Sequence, residues 1–284
     1  MNKSTDLHHT HIEPRSGWFD INLKEIWKYR DLIWLFTKRN FILIYKQTLL
    51  GPAWIILQPL FSTLIYTIVF GGIAGISTDG LPKLLFYLSG TAVWGYFSAC
   101  LTKTASTFTS NSRVYGKVYF PRLVSPISTV LSAAFNFLIQ FSLFLFIWAY
   151  FIIRGTITPN YIAILTLPFI LLFLGMLGLG FGIIISSLTT KYRDLSMLVG
   201  FGVQLWMYIT PVVYPMSTIE DELLHTLIML NPVTCAMEAF RCIFLGVGEI
   251  DMFYWCISIA VMLVVSLLGI IIFNRVEKTF MDTI

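Results

Sequence analysis

Six long apolar runs, almost free of charge, constrain this chain more than any other feature. They cover 54–72, 84–102, 123–153, 161–190, 195–214 and 252–274, and their only ionisable side chains are tyrosines and cysteines. The hydrocarbon core of a bilayer is roughly 30 Å thick and takes about 20 apolar residues of helix to cross. Each run is about that long or longer. Only 12% of the residues are charged, against about 25% in a soluble domain. The expected fold is therefore an all-α membrane protein with six transmembrane helices, forming one transmembrane domain over 51–284. Ion-coupled carriers keep an ionisable group at membrane depth. These runs hold no Asp, Glu, Lys, Arg or His, so the energy for any transport is expected from another chain.

Charge sets the orientation. Lys and Arg collect on the cytoplasmic side of membrane proteins. With the N-terminus inside, all but Lys83, Arg154 and Arg241 of the 19 Lys and Arg fall on that side. Both termini are expected to be cytoplasmic. The net charge of +4 reflects this asymmetry, and no nucleic-acid partner is expected. Residues 1–21 are polar, lack the apolar core of a signal peptide and read as a flexible cytoplasmic N-terminus. Its His8, His9 and His11 are expected to hold no metal. The four cysteines are scattered. Cys235 and Cys242, on one helix, would lie about 10 Å apart, too far to bridge.

Residues 22–50 mix tryptophan and aliphatic side chains with Lys and Arg, the pattern of an amphipathic helix at the headgroup boundary. Asn22 with Glu25 resembles its capping box. Such a helix anchors the chain, or also touches a cytoplasmic partner. Pro59 is a candidate kink in the first span, and Asp79-Gly80 with Pro82 marks a short outer loop. The segment Lys103 to Arg122, KTASTFTSNSRVYGKVYFPR, reads as an ordered cytoplasmic turn. The third run would make roughly 46 Å of helix, and Pro126 is a natural break in it. In the fourth, Gly178 and Gly182 have the spacing that lets helix backbones approach closely, for packing within the chain or for a dimer seam.

After the fifth run, Ser217 with Glu220 fits a capping box opening a helix to about Leu230. Asn231-Pro232 fits an N-cap followed by a first-turn proline, opening a second helix that ends near Leu245-Gly246. Each is about 13 residues, too short to span. Together, 217–246 are expected to form a re-entrant hairpin at the outer mouth of a pathway; the other arrangement is a hairpin lying flat on the surface. Glu238 and Arg241 are one helical turn apart and positioned to pair.

Catalytic signatures are absent from the sequence: no phosphate-binding GxxxxGK[ST], no HExxH, no CxxC. Acids, bases or metal ligands facing a cavity, which an integral enzyme needs, are missing from the spans. Aromatic residues reach 16%, beyond what interfacial belts require. Tyr66, Phe70, Phe86, Tyr87, Trp94, Tyr96, Phe97, Trp206, Tyr208 and Tyr214 gather in the first, second and fifth spans. Tyrosine and tryptophan offer an apolar face and a polar edge, which suits sugar rings. Of these, Tyr66, Phe70, Tyr87, Trp94, Tyr96, Phe97, Trp206, Tyr208 and Tyr214 are the channel-lining candidates.

The chain resembles the membrane subunits of polysaccharide-exporting ABC transporters of the ABC-2 type, which serve O-antigen, capsule and teichoic acid export. The likeness runs from Asp31 to the C-terminus. It rests on LFTKRNFILIYKQTLLGPAW (35–54), KVYFPR (117–122), KYRD (191–194), the Asn-Pro helix ending in Arg241, and FNRVEKTFMD (273–282). The resemblance implies a homodimer in the bacterial inner membrane with a channel at its two-fold axis. It implies two copies of a cytoplasmic nucleotide-binding ATPase, with ATP and Mg on that partner and no cofactor on this chain. The cargo implied is an undecaprenyl-diphosphate-linked polysaccharide moving through membrane lipid. Trp27, Arg30, Tyr115, Lys117, Phe120, Pro121 and Arg122 then become candidates for coupling to the ATPase. Asn231, Pro232, Glu238 and Arg241 become the gate. The competing readings are an ABC-2 permease for other cargo (teichoic acid, capsule, drugs or lipids), an ATP-independent lipid-linked glycan flippase, and an integral enzyme acting on lipid-linked sugars.

Overall fold

Helix is the only regular structure among the described residues, as a backbone without water to bond to requires. The computed structural model describes residues 23–46, 48–115, 117–118, 120–161, 163–191 and 194–279. The expected flexible N-terminus (1–21), the Asn22 cap, and Tyr192 and Arg193 of KYRD lie outside them.

The amphipathic segment forms α1 (Leu23–Lys28) and α2 (Arg30–Tyr45), broken at Tyr29. This corrects the single helix expected over 22–50. The first span runs over Gly51–Ile73: a short 3₁₀ turn, α3 (Trp54–Tyr66), then a π-helical stretch at Thr67–Ile73. Pro59 sits inside α3. Next come α4 (Lys83–Ala105), α5 (Thr107–Tyr115) and α6 (Val124–Ile153). The segment read as an ordered turn thus contains the nine-residue helix α5. Pro126 does not break α6. It lies in the first turn, where the missing N–H has no intrahelical partner to lose. Then follow α7 (Leu167–Lys191), α8 (Leu195–Ile209), α9 (Glu222–Met229), α10 (Pro232–Leu245) and α11 (Met252–Thr279).

Among the described residues, five helices are long and apolar enough to cross a membrane, and the bent pair α9–α10 makes up to six. The expected fifth span is shorter than 195–214. Its helix stops at Ile209, and Thr210 turns to extended backbone ahead of Pro211, because the residue before a proline avoids the helical region.

The core is built on α4, which packs against α6, α7 and α10; α7 in turn packs against α11. Glycine sets the closest of these approaches. A β-carbon on Gly178 would stand 2.6 Å from Cβ of Cys100, and one on Gly182 would be 2.5 Å from Cβ of Thr104. The glycine pair therefore seats α7 against α4 within the chain. On another side of α7, a β-carbon on Gly180 would be 3.1 Å from the backbone nitrogen of Ser266 in α11.

The two ends of the bundle differ. At one, α2, α5 and the start of α6 close over a small aromatic core of Phe36, Phe108, Tyr115, Phe120 and Phe273. At the other, α10 lies against the beginning of α4 and the far end of α6. There Trp148 donates its indole N–H to the carbonyl of Phe244 at 2.7 Å, and Phe141 and Phe144 pack on Phe240 and Phe244.

Two short helices form within 217–246, as expected, with one correction to the first. The first helix starts at Glu222, capped by Asp221, whose carboxylate accepts from the N–H groups of Leu223 and Leu224. Ser217 is no cap; its hydroxyl donates to the carboxylate of Asp79 in the loop before α4. The second helix is as expected. The Asn231 side chain accepts from the N–H of Val233, Pro232 takes the first turn, and Gly246 ends the helix at φ 72°. The two helices meet at 92°.

Candidate functional site: an amide-lined groove

A cavity of about 640 Å³ opens between α3, α4, α6 and α8. Its wall mixes aromatic rings (Trp54, Tyr66, Trp94, Tyr96, Phe137) with amides (Gln58, Asn136, Gln140, Gln204) and hydroxyls (Ser62, Thr91, Ser98, Thr102). Lys103 is the one charged residue among the described residues lining it. Amides within apolar helices are tolerated where they face a cavity instead of lipid. Gln58, Gly200 and Gln204 on its wall are exposed, so the cavity is a groove open between α3 and α8.

The helices are held in register across this groove. The hydroxyls of Thr63 and Thr91 are 3.1 Å apart. Tyr66 donates its hydroxyl to the sulfur of Met207 at 3.7 Å. A β-carbon on Gly95 would approach the Gln140 amide oxygen. These contacts place Tyr66 and Met207 toward the hairpin end, and Trp54, Thr102 and Lys103 toward the end formed by α2 and α5.

The aromatic candidates divide. Tyr66, Trp94 and Tyr96 line the groove. Tyr87 and Phe97 do not: both are fully buried. Tyr87 lies beneath Gly71, and Phe97 meets the ring of Trp206 at 5.2 Å. Phe70 stacks edge-on with Tyr66 behind the lining, and Trp206 stands against Trp94, Phe97 and Phe181. Tyr208 is exposed away from the groove, and Tyr214 folds back to donate to the carbonyl of Ile209 at 3.0 Å. Periodicity within one span could not sort these, because the groove needs four helices. The amides were the overlooked signal: they are rare polar groups inside apolar runs.

The gate residues come together at the hairpin. Asn231 uses its whole side chain. The oxygen accepts from Val233 N–H and from the Trp206 indole at 3.2 Å, while the nitrogen donates to Thr210 at 2.9 Å. Glu238 and Arg241 pair at 3.2 Å and are almost fully buried. Arg241 also donates to the carbonyl of Val212 at 3.1 Å and lies 4.0 Å from the ring centre of Phe86. Gly90 makes room for this, since its β-carbon would stand 2.6 Å from that carbonyl.

The coupling candidates share the opposite end but not the same exposure. Trp27, Arg30 and Lys117 are exposed; Pro121 and Arg122 are half-buried. Tyr115 and Phe120 are buried, their rings 5.5 Å apart, and Phe120 also meets Phe36 of α2. These two are buried within the chain and hold the segment in place. A tie that sequence reasoning missed is Arg39, which covers the Phe36 ring and donates to Asn111 of α5 at 2.8 Å.

The helices are long and apolar enough to cross a membrane several times, and four of them enclose a groove lined by aromatic rings, amides and hydroxyls. Residues 31–245 match the ABC-2 type transporter membrane family, and the chain belongs to that family. It is similar to proteins named O-antigen export system permease protein RfbA. The one from Klebsiella pneumoniae is 26% identical over 89% of this chain and 94% of the relative. The one from Myxococcus xanthus is 29% identical over 78% of this chain and 83% of the relative. Multi-pass residence in the bacterial inner membrane follows from the family and from the apolar helices.

Proposed function

We propose that this chain is the membrane subunit of an ATP-driven exporter of lipid-linked, O-antigen-like polysaccharide. The observation that carries the reading is the groove: aromatic faces alternate with amides and hydroxyls, a surface that stacks on sugar rings and exchanges hydrogen bonds with their hydroxyls. The names of the relatives support the same cargo class. The chain works as a homodimer, with the open sides of two grooves facing each other. A separate ATPase carries ATP and Mg and docks at the end formed by α1, α2, α5 and Lys117. That end is cytoplasmic, and α9–α10 is the outer gate. The exported polymer rides on undecaprenyl diphosphate.

The test is surface glycan in cells whose only copy of the permease is the double variant Gln140→Leu, Gln204→Leu. Export should fall severalfold while the purified variant still binds its ATPase and hydrolyses ATP. Undiminished export from normally assembled variant would refute the sugar-conducting role of the groove.

A further inference from the structure

We propose that Lys103 is a phosphate-binding residue at the inner mouth of the groove, where it takes the phosphate of a lipid headgroup; the inference rests on the export reading and deepens it. Lys103 closes the last full turn of α4 and is half-buried. Every other residue lining the cavity is formally uncharged. No carboxylate among the described residues pairs with it; Asp31 and Glu238 pair with Arg30 and Arg241 instead. A cation drawn out of water without an anion is unfavourable, and a lysine near the end of a span ordinarily avoids this by reaching into the headgroup layer. This one instead lines the cavity, beside Thr102 and at the same end as the Trp54 ring.

The register of the groove gives that placement a direction. Amides and hydroxyls occupy its middle, Tyr66 and Met207 its far end, and the sole positive charge the end next to α5. A molecule with one anionic head and a long neutral polar chain matches that order. A lysine ammonium is a compact point charge with three donors, suited to a phosphate in varied orientations. Bulk anionic lipid and an isoprenoid diphosphate carrier present the same chemistry.

The experiment is native mass spectrometry of the purified full chain, titrated with farnesyl diphosphate, with phosphatidylglycerol, and with farnesol as the phosphate-free control. Lys103→Gln should weaken binding of a phosphate-bearing probe by about tenfold, the size of one charge-assisted hydrogen bond. Lys103→Arg should restore most of it, and farnesol binding should be unchanged in both variants. A loss confined to farnesyl diphosphate supports the site and assigns it to the carrier lipid. A loss confined to phosphatidylglycerol supports it and assigns it to membrane lipid. Wild-type affinity of Lys103→Gln for both phosphate probes overturns the proposal, as does an equal loss for farnesol or a failure of Lys103→Arg to restore binding. Absence of glycan export by the wild-type chain would remove the export reading alone, because the binding measurement does not use it.

Discussion

Trp206 of α8 donates its indole N–H to the side-chain oxygen of Asn231, the residue that caps α10. The same tryptophan presses on Trp94, which lines the groove. One side chain thus ties the groove wall to the start of the hairpin. Asn231 completes the tie by donating to Thr210 where α8 ends. Movement of α9–α10 away from the bundle would have to break these bonds first.

Asn231→Ala should lower stability by about 1–2 kcal/mol, the usual loss for a removed N-cap, and more than Trp206→Phe, which keeps the ring. Because the two side chains bond each other, the double variant should show a coupling of at least about 0.5 kcal/mol. Thermal unfolding of the four proteins in one detergent measures this. Strict additivity would mean that the bond contributes nothing.

Removing one partner of a buried ion pair leaves the other charge uncompensated, at about 3–5 kcal/mol. Arg241→Met strands Glu238, which is 5% exposed, and should strongly reduce the yield of folded protein. Changing both residues, Arg241→Met with Glu238→Leu, should recover much of it. Comparing monodisperse fractions by size-exclusion chromatography decides the matter. Single and double variants that behave alike would show that the pair does not act as a unit.

Gly178→Leu should force α7 away from α4, since even a β-carbon there would stand 2.6 Å from Cβ of Cys100. Overpacking of this kind costs about 1–3 kcal/mol or more. Gly202→Leu is the comparison, because nothing lies within 4 Å of its added β-carbon. The first should melt several degrees lower and the second should melt near the parent temperature.

Phe120→Ala and Lys117→Ala should differ in kind. The first empties a buried site between Phe36 and Tyr115, a loss of about 3–5 kcal/mol, and should loosen α2. Trypsin cleavage at Lys38 and Lys46 should then accelerate. Lys117 is exposed, so its replacement should remove the trypsin site at that position, leave the rate of cleavage at Lys38 and Lys46 unchanged, and lower ATP-dependent export. A digestion pattern for Phe120→Ala identical to the parent's would contradict the structural role of that ring.

The sequence was most legible where a local rule leaves few choices. The Asn231-Pro232 start and the Gly246 stop of α10 were readable because an N-cap, a first-turn proline and a left-handed glycine act within one turn of chain. Ser217 misled for the complementary reason: it has the right spacing to Glu220, but Asp79, distant in sequence, claims its hydroxyl. Tyr87 and Tyr66 belong to the same aromatic set in sequence, yet one is buried under Gly71 and the other faces the groove.

Hydropathy and charge along the chain suffice for the membrane class, the rough limits of most apolar segments, and the short helix pair. Those properties depend on how each segment partitions between water and lipid, residue by residue. Folding decides which aromatic rings line the groove, that Gly178 and Gly182 serve a contact within the chain, and that Lys103 shares a cavity with four amides. Lipid is as apolar as the side chains that face it, so hydrophobicity cannot say which side of a span turns toward its neighbours. Close packing of small residues and matched hydrogen bonds between helices settle that, and they exist only once the helices have met.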